Sequence, residues 1–216
     1  MVVSKEMKRV FFVGALAVTL MVVMGGVFLR REIQAIRAQK ADRMEVLGKL
    51  PDFSLVERSG EALGLADLKG KVWLAGFVFT HCAGPCPLIS AQMSALQRPL
   101  AEFEDVRLVS FSVDPERDTP AVLSDYARRY EADPDRWLFL TGKKKDVYRL
   151  ILEGFKVTVE DGADVMDIEG EDQIVHTLKL ALVDRKGQIR AYYVGTEPEL
   201  EAELIPDVRR LLAEEP

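Results

Sequence analysis

The chain has 216 residues, 48% of them hydrophobic, and 35 acids outweigh 29 bases for a net charge of −6. Four of the bases and one of the acids fall in residues 1–30, so the remainder carries 25 against 34 and lacks the clustered basic surface that nucleic acid or an anionic membrane face would need. Asparagine is absent, which excludes N-glycosylation, and the chain has two cysteines and two histidines.

Residues 1–9 are a short tail. From Val10 to Leu29 no charged residue occurs, with Lys8-Arg9 before and Arg30-Arg31 after. Twenty helical residues rising about 1.5 Å each match a hydrocarbon core of roughly 30 Å. This predicts a transmembrane anchor over 10–29. A cleaved signal, the alternative, has a shorter apolar region and a small-x-small site, and would export the same domain. The bases Arg30, Arg31, Arg37, Lys40 and Arg43 outnumber Lys5, Lys8 and Arg9, a bias that alone would keep the C-terminal part in the cytoplasm. A short tail is easily retained and a large domain can cross despite its charges. The expectation is therefore a single-pass protein of the inner (cell) membrane with its soluble domain on the periplasmic or extracytoplasmic side.

Residues 30–50 read as a charged linker or stalk, and 51–216 as one domain large enough for a proper core. Pro51 to Val56 alternates like a strand, and Arg58-Ser59-Gly60-Glu61 supplies a turn. Val72 to Phe79 is apolar throughout, as a strand covered on both faces would be. Beyond Pro87, a residue tolerated in a first helical turn, Ile89, Met93, Leu96, Leu100 and Phe103 recur at helical spacing. Val106 to Val113 is a second buried strand. Thr119-Pro120 caps and opens a helix reaching Tyr130. Trp137 to Leu140 is a short strand, Lys143-Lys144-Lys145 a solvated helix start, and Val147, Leu150, Ile151 and Phe155 a helix face.

The acidic, glycine-bearing stretch from Thr158 to Asp172 reads as an excursion or loop. Leu178–Val183 and Ile189–Val194 are strands joined by the turn signal Asp184-Arg185-Lys186-Gly187. A last helix has Glu197, Glu199 and Glu201 at its start and Arg209-Arg210 near its end, as the helix dipole favours, with Pro206 expected to kink or divide it. This order of elements is that of a thioredoxin-like α/β sandwich, a mixed central sheet flanked by helices. Such folds place ligands at the C-terminal ends of their strands.

Cys82 and Cys86 fall at such an end, in Phe79-Thr80-His81-Cys82-Ala83-Gly84-Pro85-Cys86-Pro87. Near a helix N-terminus the thiols become reactive. Oxidised, they could close a disulfide; reduced, they offer two soft sulfurs to a metal whose third ligand would suitably be imidazole. His81 follows the strand next to Cys82, so its side chain should face the opposite way and stand in solvent. His176, just before the strand at Leu178, is the better-placed nitrogen, though a lone histidine at a strand edge can equally be structural.

Three pieces together, Phe79-Thr80-His81-Cys82 to Cys86-Pro87, Ser112-Val113-Asp114-Pro115-Glu116-Arg117-Asp118-Thr119-Pro120, and the isolated His176, resemble the Sco (SenC/PrrC) family over roughly Pro51 to Leu212. The resemblance implies a membrane-anchored copper chaperone that assists assembly of the binuclear copper centre of cytochrome c oxidase, or a thiol–disulfide reductant in the same process. Cys82, Cys86 and His176 would be the ligands of Cu(I) or Cu(II), with Cys82 and Cys86 also a redox-active pair. Asp114 would be an outer-shell acceptor or partner contact, or simply a turn residue. Asp118 and Thr119 read as capping. The implied partners are the copper-bearing oxidase subunit or a copper donor protein. This chain departs from the family at Ala83, where proline is common, and at Val175, where aspartate is common. The competing reading is an exported thioredoxin-like thiol oxidoreductase or peroxidase without metal, against which the three-residue cysteine spacing counts. A copper- or redox-sensing module would use the same residues.

Overall fold

The computed structural model describes residues 44–81, 86–157 and 177–214, the backbone of 165–168 and 172–175, and four helical residues of the N-terminal segment, Met21, Met24, Gly25 and Phe28. Residues 1–43 and 44–216 are two separate compact units. Apart from those four residues, the span expected over 10–29 lies outside the described part, and among the described residues no helix is long and apolar enough to cross a membrane.

In chain order the second unit contains β1 (Gly48–Lys49), β2 (Ser54–Glu57), β3 (Ala62–Gly64), α1 (Leu65–Leu68), β4 (Val72–Val78), α2 (Cys86–Leu100), β5 (Val106–Ser112), α3 (Pro120–Arg129) and β6 (Trp137–Thr141). There follow α4 (Lys144–Arg149), which runs on as a wider π-type turn over Leu150–Gly154, then β7 (Val165–Ile168), β8 (Asp172–Val175), β9 (Lys179–Val183), β10 (Gln188–Val194) and α5 (Leu200–Ala213). Eight strands make one sheet in the order β1-β10-β9-β4-β5-β6-β2-β3. The three central strands β4, β5 and β6 are parallel, and β9 joins β4 antiparallel in the register Ala75↔Ala181. The expected thioredoxin-like sandwich is the fold that forms.

All seven residues of β4 are buried, which is why its sequence shows no alternation. Its side chains nevertheless divide between two cores. Trp73, Ala75 and Phe77, with Phe79 just beyond the strand, pack with Phe111 and Phe155 on one face. Val72 and Leu74 join Ile89, Met93, Leu96 and Leu100 of α2, with Trp137, Leu204 and Val208, on the other. Each such large side chain contributes about 1.5–3 kcal/mol by leaving water. On the first face the Phe77, Phe111 and Phe155 rings stand 5.2–6.1 Å apart beneath the end of β4. Gly76 lets α2 lie close, since a Cβ there would sit 3.1 Å from Leu180 and 3.5 Å from Met93.

Three expectations are corrected. The globular unit begins at Met44, not at 51: β1 pairs with β10, Leu50 is buried, and Arg190 holds the Met44 and Glu45 carbonyls. Lys49 and the other charges of this stretch disguised a short edge strand as stalk. The Thr158–Asp172 excursion contains half of an antiparallel ribbon, β7 with β8, registered Val165↔Val175 through Ile168↔Asp172. The apolar residues Val165, Met166 and Ile168 were hidden among the surrounding acids. Pro206 lies within a continuous α5 and does not divide it. By contrast Thr119 caps α3, accepting from the Val122 amide, and the Lys143–Lys145 triplet opens α4 as expected.

Candidate metal centre

Cys86 is the first residue of the 15-residue helix α2 and is 5% exposed. Its core is that of Phe77 and Phe79, whereas Ile89 and Met93 of the same helix belong to the opposite core. The sulfur therefore sits where the helix crosses the end of β4, at the positive end of the helix dipole. Four residues on, Ser90 shares a 2.7 Å hydrogen bond with the buried Tyr126 hydroxyl of α3, fixing the first turn of the helix from below. Burial pushes the Tyr126 phenol far up, so it stays protonated.

The approach to the cysteines is held by a side chain that sequence reasoning assigned to capping. Asp118 is fully buried and accepts three hydrogen bonds: from the Thr80 amide (3.3 Å), the Thr80 hydroxyl (2.5 Å) and the Ser112 hydroxyl (2.7 Å). It bridges the end of β4 to the end of β5. Burial pushes its carboxyl up, against the opposing pull of Thr80 and Ser112. No local pattern announces this role, because Thr80 lies 38 residues away. Only the occurrence of an acid so soon after a buried strand hinted at it.

Asp114 lies at the same end of the sheet, since the Val113 amide donates to the Val78 carbonyl at 2.9 Å. Its side chain is buried beside Arg117, whose Nε is 2.5 Å from Oδ2. That oxygen receives no directed hydrogen bond, so the pair is held by charge rather than by an aligned N–H. The Arg117 guanidinium in turn covers the Phe79 ring, 5.5 Å from its centre. His81 is exposed, as its neighbourhood with Cys82 suggested, and its Nδ1 lies 3.0 Å from the Thr80 hydroxyl oxygen.

Cys82 and His176 fall outside the described residues. On the histidine side, β8 ends at Val175, Thr177 is buried, and its hydroxyl accepts from the Lys179 amide that starts β9. Because β9 runs antiparallel to β4, its first residues approach the end of β4 that leads to Cys86. Among the described residues no three histidine, cysteine or acidic side chains gather to hold a metal.

Residues 42–213 match the SCO1/SenC family model. The chain belongs to the SCO1/SenC family. It is similar to a SCO1 protein homolog of Bacillus subtilis, 40% identical over 159 residues that make up 73% of this chain and 79% of that one. Among solved structures of the family it resembles BsSco, with a TM-score of 0.68 and 36% identity over 80% of this chain and 99% of the other. BsSco is described as a member of the Sco family of cytochrome c oxidase assembly proteins that has a disulfide switch. The copper-bound ScoI of Bradyrhizobium japonicum matches with a TM-score of 0.62 and 27% identity, over 76% and 99% of the two chains.

Proposed function

We propose that this SCO1/SenC protein receives and passes on copper during assembly of the binuclear copper centre of cytochrome c oxidase. In this reading Cys82, Cys86 and His176 hold the ion, two thiolates and an imidazole suiting Cu(I), with room for a weak further ligand in Cu(II). Copper is cargo here, and transfer proceeds by exchange of these ligands for those of the acceptor, the copper-bearing oxidase subunit; a copper donor protein would load the site. Residues 10–29 anchor the chain, with the globular unit on the extracytoplasmic side. Asp114 acts from outside the ligand set, through Arg117 and Phe79.

The observation that carries the reading is the position of Cys86: a buried sulfur at the head of a long helix, at the strand end beside which β9, the strand that follows His176 in sequence, begins. It is strengthened by the copper-bound relative and by the oxidase-assembly description of BsSco. The disulfide switch of BsSco favours a second role for the same pair, in which one thiolate attacks an acceptor disulfide and the other resolves the mixed disulfide, leaving Cys82–Cys86 oxidised and the acceptor reduced. The test is a titration of the reduced full-length chain in detergent with Cu(I) and Cu(II), beside His176→Ala. One tightly held copper per chain, weakened in the variant, is expected; equal affinity in the two proteins would remove His176 from the site.

A further inference from the structure

The hydrogen-bond relay Ser112–Asp118–Thr80–His81 has a consequence for the exposed histidine. The Asp118 carboxylate can only accept, and the Thr80 hydroxyl reaches it at 2.5 Å, so the Thr80 proton is committed to Asp118. The same oxygen, 3.0 Å from His81 Nδ1, is then left as an acceptor, and Nδ1 must be the nitrogen that carries hydrogen. Neutral His81 is thereby fixed as the Nδ1–H tautomer. Its Nε2 lone pair is unprotonated on an exposed ring, one residue before Cys82, whereas Cys86 is 5% exposed.

We propose that His81 is an entry ligand for copper: its Nε2 takes the ion from the donor and passes it inward to the thiolates, and Thr80 and Asp118 are positioning residues that keep this lone pair available. The proposal rests on the copper-handling function argued above. Transfer is a ligand exchange without change of oxidation state. A donor ligand leaves as Nε2 binds; Nε2 leaves as the thiolates bind, and any thiol protons pass to water. His81 is then absent from the final ligand set, and its effect is on the rate of loading.

The relay also predicts how to switch the histidine without touching it. In Asp118→Asn the amide oxygen must take the place that accepts from the Thr80 backbone N–H, because that donor cannot turn. The amide nitrogen then faces the Thr80 hydroxyl and donates to it. Thr80 in turn gives its proton to Nδ1, and the imidazole hydrogen moves to Nε2, where no lone pair remains. Thr80→Val removes the relay by a different route.

Two measurements on the full-length reduced chain in detergent test this. Nitrogen-15 NMR of the imidazoles, at a pH where histidine is neutral, should show Nδ1–H for His81 and Nε2–H in Asp118→Asn; the chain's two histidines are told apart with His176→Ala. Stopped-flow capture of Cu(I) from its bicinchoninate complex should slow about tenfold or more in His81→Ala and Asp118→Asn, the size of effect that outer groups of metal sites show, with the final copper content unchanged. Capture at the wild-type rate in His81→Ala, or an Nε2–H tautomer in the wild type, overturns the proposal. Should Asp118→Asn fail to fold, Thr80→Val must lose the tautomer preference and slow capture likewise. A wild-type chain that takes up no copper at all would instead refute the function on which the proposal stands, leaving the tautomer result to judge the relay.

Discussion

Ser90 of α2 and Tyr126 of α3 share a buried 2.7 Å hydrogen bond one helical turn below Cys86. Two hydroxyls thus join the helices in a layer otherwise made of Ile89, Met93 and Leu123. Tyr126→Phe leaves Ser90 with an unmet polar group, and the expected loss is about 1 kcal/mol of stability, whereas removing both hydroxyls should cost little more than either alone. A double-mutant cycle with Ser90→Ala in urea measures this coupling. Independent, additive losses would mean that the bond does not join the helices.

Asp118 makes stability depend on pH with a definite sign. Burial raises its native pKa above that of an unfolded aspartate, so between the two values the folded chain binds more protons than the unfolded one. Stability contributed by this residue is therefore full below the ordinary aspartate pKa of about 3.9 and declines as pH rises toward the raised native value. Subtracting the stability of Asp118→Asn from that of the wild type, across the acidic range, isolates the residue. The difference should fall with rising pH; a flat difference contradicts the burial argument.

Much of this architecture can be read from the chain because its signals are local. Apolar runs at Val72–Phe79 and Val106–Val113, the helical spacing from Ile89 to Leu100, the Thr119-Pro120 cap and the turn at Asp184–Gly187 each act within a few residues, and each element forms there. What escaped depends on partners far away in sequence. Asp118 looked like a cap because its neighbours are Arg117 and Thr119, and its role comes from Thr80 across 38 residues. The start of the globular unit was placed late because Met44 and Glu45 are held by Arg190, about 145 residues on. Membership of the SCO1/SenC family was legible from the cysteine spacing and the Ser112–Pro120 string, whereas the Thr80–His81 contact depends on where one hydroxyl proton goes.

Arg190 occupies an irregularity in the β9–β10 register, and its side chain is buried. It reaches Asp184 at 2.8 Å, both oxygens of Glu214 at 2.8 and 2.9 Å, and the Met44 and Glu45 carbonyls. Burial opposes its charge, yet Glu214 and Asp184 outweigh that and raise its pKa. Arg190→Ala abandons two carboxylates and the N-terminal carbonyls, and should cost about 3–5 kcal/mol. Hydrogen exchange should then rise first at Leu47 and Leu50, whose amides bond to Ile189 and Gly187. Unchanged protection there would show that β1 holds without the clamp.

Gly195 follows β10 and packs against the first turn of α2. A Cβ at this position would fall 2.5 Å from Ile89 Cδ1, 3.1 Å from Leu180 Cγ and 3.2 Å from the Leu178 carbonyl oxygen. The Ile89 methyl can turn aside, but the carbonyl belongs to the backbone that receives the Gly195 amide, so the strain must be shared with the helix. Gly195→Ala should therefore cost about 1–3 kcal/mol, as overpacking of a close-packed interior does. Since Ile89 is three residues from Cys86, the displaced turn should also make that sulfur more accessible. Alkylation of the reduced chain by iodoacetamide, followed at Cys86 by peptide mass mapping, should be faster than in wild type. Gly60→Ala, in the β2–β3 turn where φ is +92° and no atom lies within 4 Å of the new methyl, strains only its own turn and serves as the control. Equal alkylation rates in all three proteins would show that Gly195 does not govern the seat of Cys86.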